Sequence, residues 1–164
     1  MSERPDFIGR AVTRPKGFSY DQFEIGKRIE HHWGRTLNLS ESVLFSTLTL
    51  SANPTYFNLE YAKKLGEDQI PINPYFVYLV VFGLSVEDLT EGGRVGALVA
   101  VEKLRFLRSC YSGDTVTSVS TVQDKRVSAT KPDMGLVTWH TQGFNQRGDV
   151  VVEYIRTNMM NVRN

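Results

Sequence analysis

The residue pattern predicts an α+β fold in which a curved antiparallel sheet wraps a buried central helix. Three observations lead there. A loosely alternating segment near residue 30 suits a strand, a helix over Phe76 to Val86 is apolar on nearly every side, and everything after Gly93 has the texture of strands. A helix apolar all round has to be enclosed. A bent antiparallel sheet is the element left to enclose it.

Taken in order, residues 1–17 carry Arg4, Pro5, Arg10, Arg14 and Pro15 without periodicity and read as an N-terminal arm, followed by one domain over 18–164. Residues 27–39 carry Ile29, Trp33 and Leu37 and suit a first strand. Adjacent strand positions face opposite sides, so His31 and His32 are not expected to share a metal and receive no role. Asn38 is a good N-cap, with Glu41 completing a capping box. Val43, Leu44, Thr47, Leu48 and Leu50 are then spaced for one buried helix face.

Asn53-Pro54 breaks that helix, because the residue before proline is pushed out of the helical region. Asn58 caps a short second helix that Gly66 closes. Asn73 and Pro74 fit the N-cap and first position of the apolar helix, which Glu87-Asp88 and Glu91-Gly92-Gly93 end. Strands are expected at 95–108, 115–122, 135–144 and 150–159, as an antiparallel meander with a polar loop at 125–132 and a hairpin turn at 145–149.

Composition narrows the function classes. A chain of 164 residues with 41% apolar and 23% charged side chains is ordinary for one soluble domain. Net charge of +1 without a basic cluster gives no electrostatic case for nucleic acid. The single cysteine, Cys110, excludes an internal disulfide, offers no metal site and suits a reducing compartment. The first twenty residues have no apolar core of a leader peptide, and the apolar run 76–84 is about half a membrane span. A cytoplasmic protein is expected, with no cofactor, metal, nucleic-acid or membrane partner.

The stretch Leu50-Ser51-Ala52-Asn53-Pro54-Thr55-Tyr56-Phe57-Asn58-Leu59-Glu60-Tyr61-Ala62 resembles the hydratase loop of MaoC-like (R)-specific enoyl-thioester hydratases. Asn53, Pro54, Asn58, Tyr61 and Ala62 fit that frame, but Ser51 stands where the family has its catalytic Asp and Tyr56 where it has its catalytic His. Leu104 to Val116, with Arg105-Phe106, Tyr111 and Gly113-Asp114-Thr115, is similar to a second segment of the family, although Gly113-Asp114 is also what a turn between strands requires. The segment from Gly143 to Gly148 resembles the family's last hairpin, and Phe82 to Asp88 the helix end of its mesaconyl-CoA and itaconyl-CoA hydratase branch. The resemblance covers roughly 18–160. It implies the hot-dog fold, a CoA- or carrier-linked acyl thioester as substrate, and hydration or dehydration as the reaction.

Adding water to a 2-enoyl thioester needs a base and acid on one water and donors for the thioester oxygen. Neither Ser51 nor Tyr56 is a base near neutral pH, since tyrosine titrates near ~10. Ser51, Asn53 and Tyr56 are nevertheless the catalytic candidates: Ser51 as a polar filler, Asn53 as a brace or a ligand for water, Tyr56 as cleft lining or proton donor. The resemblance puts the family's oxyanion glycine at or beside Pro74, which has no N–H, so Asn73, Pro74 and Tyr75 are the binding candidates, with the Tyr75 N–H as substitute donor. Glu60, Glu67 and Asp68 are carboxylates near the loop, expected on exposed turns or helix faces. A dyad-free hot-dog chain also fits a catalytically silent subunit of a heteromeric dehydratase. Thioesterase activity is the weaker alternative, because residues 76–86 hold no carboxylate. An exposed sheet edge predicts a homodimer or dimer of dimers, or a heterodimer with a dyad-bearing chain.

Overall fold

The computed structural model describes residues 17–91 and 95–162, so nearly all of the expected N-terminal arm lies outside the described residues. The elements are β1 (Arg28–Thr36), α1 (Leu39–Leu48), α2 (Leu59–Lys64), α3 (Pro74–Val86), β2 (Val95–Phe106), β3 (Thr115–Val127), β4 (Met134–Phe144) and β5 (Val150–Asn161). All strand pairs are antiparallel, in the order β1-β3-β4-β5-β2. This is the expected α+β fold with one correction. β3, β4 and β5 form a meander, but β2 pairs with β5 instead of β3. The sides of β3 are already taken by β1 and β4, so β2 adds to the far edge.

The sheet curves around α3, which packs against β1, β3, β4 and β5. Val77, Val80, Val81 and Ser85 are the buried positions of the helix. Contact is tightest over β4, where a Cβ added to Gly143 would lie 2.6 Å from a Val81 methyl. Only glycine lets the backbones come that close.

The expectation that α3 is buried all round does not hold for this chain. Tyr75 is 55% and Leu79 47% exposed. The spacing in α1 is also misleading: its buried residues are Ser42 and Ser46, while Leu44, Leu48 and Leu50 are exposed. The reason is local. A buried amide at Asn73 needs polar partners, and serines supply them, so the apolar side of α1 turns outward. Phe45, Phe76, Leu79 and Gly83 line an open groove of about 500 Å³ that α1 and α3 share.

Asn38 caps α1 as expected, its Oδ1 accepting from the Ser40 N–H at 3.0 Å. The reciprocal half of the capping box is absent, because Glu41 pairs with Arg35 of β1. Beyond Val86 the chain continues as a π-helical turn, Glu87–Glu91, which presents Asp88 to β1. Among the described residues no helix is long and apolar enough to cross a membrane.

Candidate active site

Two helices end in the same way beside the N-terminus of α3. At the end of α1, Leu50 takes φ +54°, its N–H donates to Thr47 O, and the Ser51 N–H reaches back to Ser46 O at 2.8 Å. At the end of α2, Gly66 takes φ +88°, its N–H donates to Lys63 O, and the Glu67 N–H reaches back to Ala62 O at 3.1 Å. Both are Schellman ends, with a left-handed residue directing the next one back over the helix. Ser51 and Glu67 therefore hold the same position relative to their helices.

Between them runs the loop. The Asn53 side chain accepts from the Thr55 N–H at 3.1 Å and caps the single turn Pro54–Tyr56. Asn53 is exposed, and its oxygen braces the loop. Asn58 then caps α2, accepting from the Tyr61 N–H at 3.1 Å.

Asn73 is fully buried and ties α1 to α3. Its N–H donates to Ser42 Oγ at 2.9 Å, and its Nδ2 donates to Ser46 Oγ at 2.9 Å and to Ser51 Oγ at 3.4 Å. Its Oδ1 accepts the Tyr75 N–H at 3.0 Å. That last bond corrects an expectation: the Tyr75 N–H closes the helix cap and is committed to Asn73 instead of a substrate oxygen.

A cavity of about 290 Å³ lies beside this cap, lined among others by Tyr56, Glu67, Pro74, Val77, Arg108 and Cys110. Ser51 does not line it. It borders a neighbouring hollow of about 300 Å³ with Phe45, Tyr75 and Tyr78. The structure thus gathers Tyr56 and Pro74 on one cavity, and Ser51 and Tyr75 on another. Burial, and then the neighbouring Tyr75, raise the Tyr56 pKa, so its hydroxyl stays protonated and is able to donate a hydrogen bond. Burial pushes the Cys110 thiol up to about 12, which removes it as a nucleophile. Glu67, expected on an exposed turn, is part-buried, and its Oε2 accepts the Tyr111 O–H at 2.5 Å. The hydrogen bond to Glu67, followed by burial, raises the Tyr111 pKa. The sequence signal for Glu67 was the pair Gly66-Glu67, since a C-terminal glycine fixes the direction of its successor.

A sequence model of the mesaconyl-CoA hydratases matches residues 5–164. The chain belongs to that family. The mesaconyl-CoA hydratase of Haloarcula hispanica is 33% identical over 154 residues, 93% of this chain and 42% of the relative. A crystal structure of a MaoC domain protein dehydratase from Chloroflexus aurantiacus superposes with a TM-score of 0.85 at 29% identity, covering 94% of this chain and 43% of that one. A Mycobacterium tuberculosis protein with a double hotdog fold gives a TM-score of 0.76 at 23% identity, covering 90% and 45%. The sheet-wrapped helix is therefore a hot-dog fold of the MaoC-like type. The chain spans less than half the length of these family relatives.

His31 is buried and His32 exposed, as adjacent strand positions facing opposite sides require, at a register shift between Glu30 and Gly34. Both side chains then reach one carboxylate: His31 Nδ1 to Asp88 Oδ2 at 2.9 Å, and His32 Nδ1 to Asp88 Oδ1 at 2.8 Å. Asp114 accepts the Tyr111 N–H at 2.8 Å and a Gln146 amide proton at 2.7 Å, which makes it a turn residue of the β2–β3 connection.

Proposed function

We propose that this chain takes part in hydrating a 2-enoyl CoA thioester, and in the reverse dehydration of the 3-hydroxyacyl thioester, at the cavity beside the N-terminus of α3. The observation that carries the reading is the family match over 5–164, combined with a cavity where the loop Pro54–Tyr56 meets the cap of α3. A protonated Tyr56 hydroxyl suits donation to the thioester oxygen as it gains charge. The Phe76 N–H is the first-turn donor of α3 without an acceptor among the described residues, and the helix dipole favours negative charge there. Arg108 on the cavity wall suits an acyl group with a second carboxylate, as in a mesaconyl thioester. The test is direct. Purified protein with crotonyl-CoA or mesaconyl-CoA is expected to remove the enoyl absorbance, with mesaconyl-CoA preferred. Thiol release in place of hydration would point to a thioesterase.

A second reading is favoured by two observations. Ser51 and Tyr56 provide no base, and the open apolar sides of α1 and α3 belong to a chain less than half as long as its relatives. In this reading the chain is one hot-dog unit, paired with a second that carries the Asp–His dyad, in the cytoplasm. Turnover that appears only on adding a dyad-bearing MaoC-like chain would decide for it. A homodimer active without such a chain decides for the first.

A further inference from the structure

We propose that Glu67 is the general base of this cavity and Tyr111 its positioning residue, so that the carboxylate absent at Ser51 is supplied from the end of the next helix. The proposal rests on the first reading above, in which the chain itself performs hydration.

Three observations converge on Glu67. Among the described residues it is the one carboxylate on the wall of the cavity that also holds Tyr56 and Pro74. It occupies, at the end of α2, the position that Ser51 occupies at the end of α1, fixed by the same pair of backbone bonds. One of its oxygens is taken by the Tyr111 O–H at 2.5 Å, while Oε1 has no hydrogen-bond partner among the described residues. A carboxylate oriented through one oxygen and open at the other is what holding a water requires. Tyr111 is itself fixed, because its N–H donates to Asp114 Oδ2 at 2.8 Å.

The step balances without a cofactor. Glu67 Oε1 accepts a proton from water as the water oxygen bonds to Cβ, and the Cα=Cβ electron pair moves onto the thioester oxygen. The enolate then collapses and takes the proton back from Glu67 at Cα. One water is added and the carboxylate is restored. Dehydration runs the same path in reverse. Arg108, on the same wall, carries the compensating positive charge and is loosely paired with Asp149 at 3.6 Å.

The competing account is that Glu67 and Tyr111 only latch α2 to the β2–β3 connection. Glu67→Gln separates the two, because the amide oxygen still accepts from Tyr111 but cannot take a proton. With mesaconyl-CoA or crotonyl-CoA, Glu67→Gln is expected to lower kcat roughly 10²–10⁴-fold, with KM and melting temperature little changed and the acidic limb of the pH–rate profile gone. Tyr111→Phe is expected to lower kcat less and to move that limb to higher pH, a displacement that a latch does not predict. A wild-type chain that turns over while Glu67→Gln matches it overturns the role of Glu67 and leaves the hydration reading standing. A wild type that works only with a dyad-bearing partner, or not at all, overturns both.

Discussion

The two ends of α3 use polar residues in opposite ways. At the C-terminal end the charged and titratable groups are spent on one another. Asp88 is held by His31 and His32, His31 Nε2 meets Ser120 Oγ at 2.9 Å, and the Trp33 indole N–H donates to Glu87 at 2.5 Å. Behind them Arg156 is buried on the Phe82 ring and donates to Asn158 and Ser85. At the N-terminal end the buried groups are neutral, Ser42, Ser46 and Asn73, with the part-buried Ser51 beside them. The groups with bonding capacity left over, Tyr56 and Glu67, face open space. His31 and His32, given no chemical role from the sequence, fasten β1 to the helix through Asp88. Fully partnered residues hold the fold, and partly partnered ones beside a cavity are left for chemistry.

The largest expected effect breaks the contrast by putting charge at the neutral end. Ser51→Asp with Tyr56→His, made in the Glu67→Gln background, installs the Asp–His pair expected of the family, and hydration of mesaconyl-CoA is expected to rise roughly 10²–10⁴-fold over Glu67→Gln alone. Because Ser51 and Tyr56 border separate hollows, neither single change should give more than a small part of the gain. Equal rates for Glu67→Gln with and without the double change would mean that the cavity at the tip is not where the thioester reacts.

The next effect empties the charged end. Asp88→Ala strips both histidines of their partner and leaves the buried His31 Nδ1 without an acceptor. A loss of about 2–4 kcal/mol in urea unfolding is expected, with turnover per folded molecule unchanged. By contrast, Ser51→Ala removes only a 3.4 Å contact to Asn73, whose Nδ2 keeps Ser46, and should cost about 0.5 kcal/mol or less. If the two variants are equally stable, the two ends do not divide the work in this way.

What was legible in the sequence were the features fixed by neighbours in the chain. The caps at Asn38, Asn58 and Asn73 and the stop at Gly66 all stand where residue chemistry puts them. The hot-dog wrap followed from the apolar helix and the strands behind it, and the family followed from the order of its motifs. Features decided across the chain were not legible. Leu44 and Leu48 have the spacing of a core face, and nothing local reveals that the buried amide of Asn73 claims the serine side of α1. β2 reached the far edge because β1 had taken the place beside β3. Nothing local showed that His31 and His32 would share one carboxylate. At the site, Ser51 and Tyr56 were expected to act together, but their separation and the placement of Glu67 depend on how two helix ends turn.

The smallest effect tests the charged end through pH. Burial lowers the His31 pKa against the opposing pull of Asp88, with the Arg156 and His32 charges acting in the same direction as burial. The folded chain therefore keeps His31 neutral at a pH where the unfolded chain, titrating near ~6.5, already binds a proton. The unfolded state then holds more protons, so stability is complete above about pH 6.5 and falls as the pH drops toward the folded value, by at most about 1.4 kcal/mol per pH unit for one proton. Urea midpoints of wild type and His31→Gln between pH 7.5 and 5.5 isolate this term from the other titrating groups. The two curves should converge as the pH falls, because the variant lacks the proton-linked loss while bearing a constant cost for the altered contact. Parallel curves would mean that His31 is equally protonated in the folded and unfolded chain. The charged end of α3 would then lack the desolvation that its closed packing implies, and the contrast with the open end would reduce to shape alone.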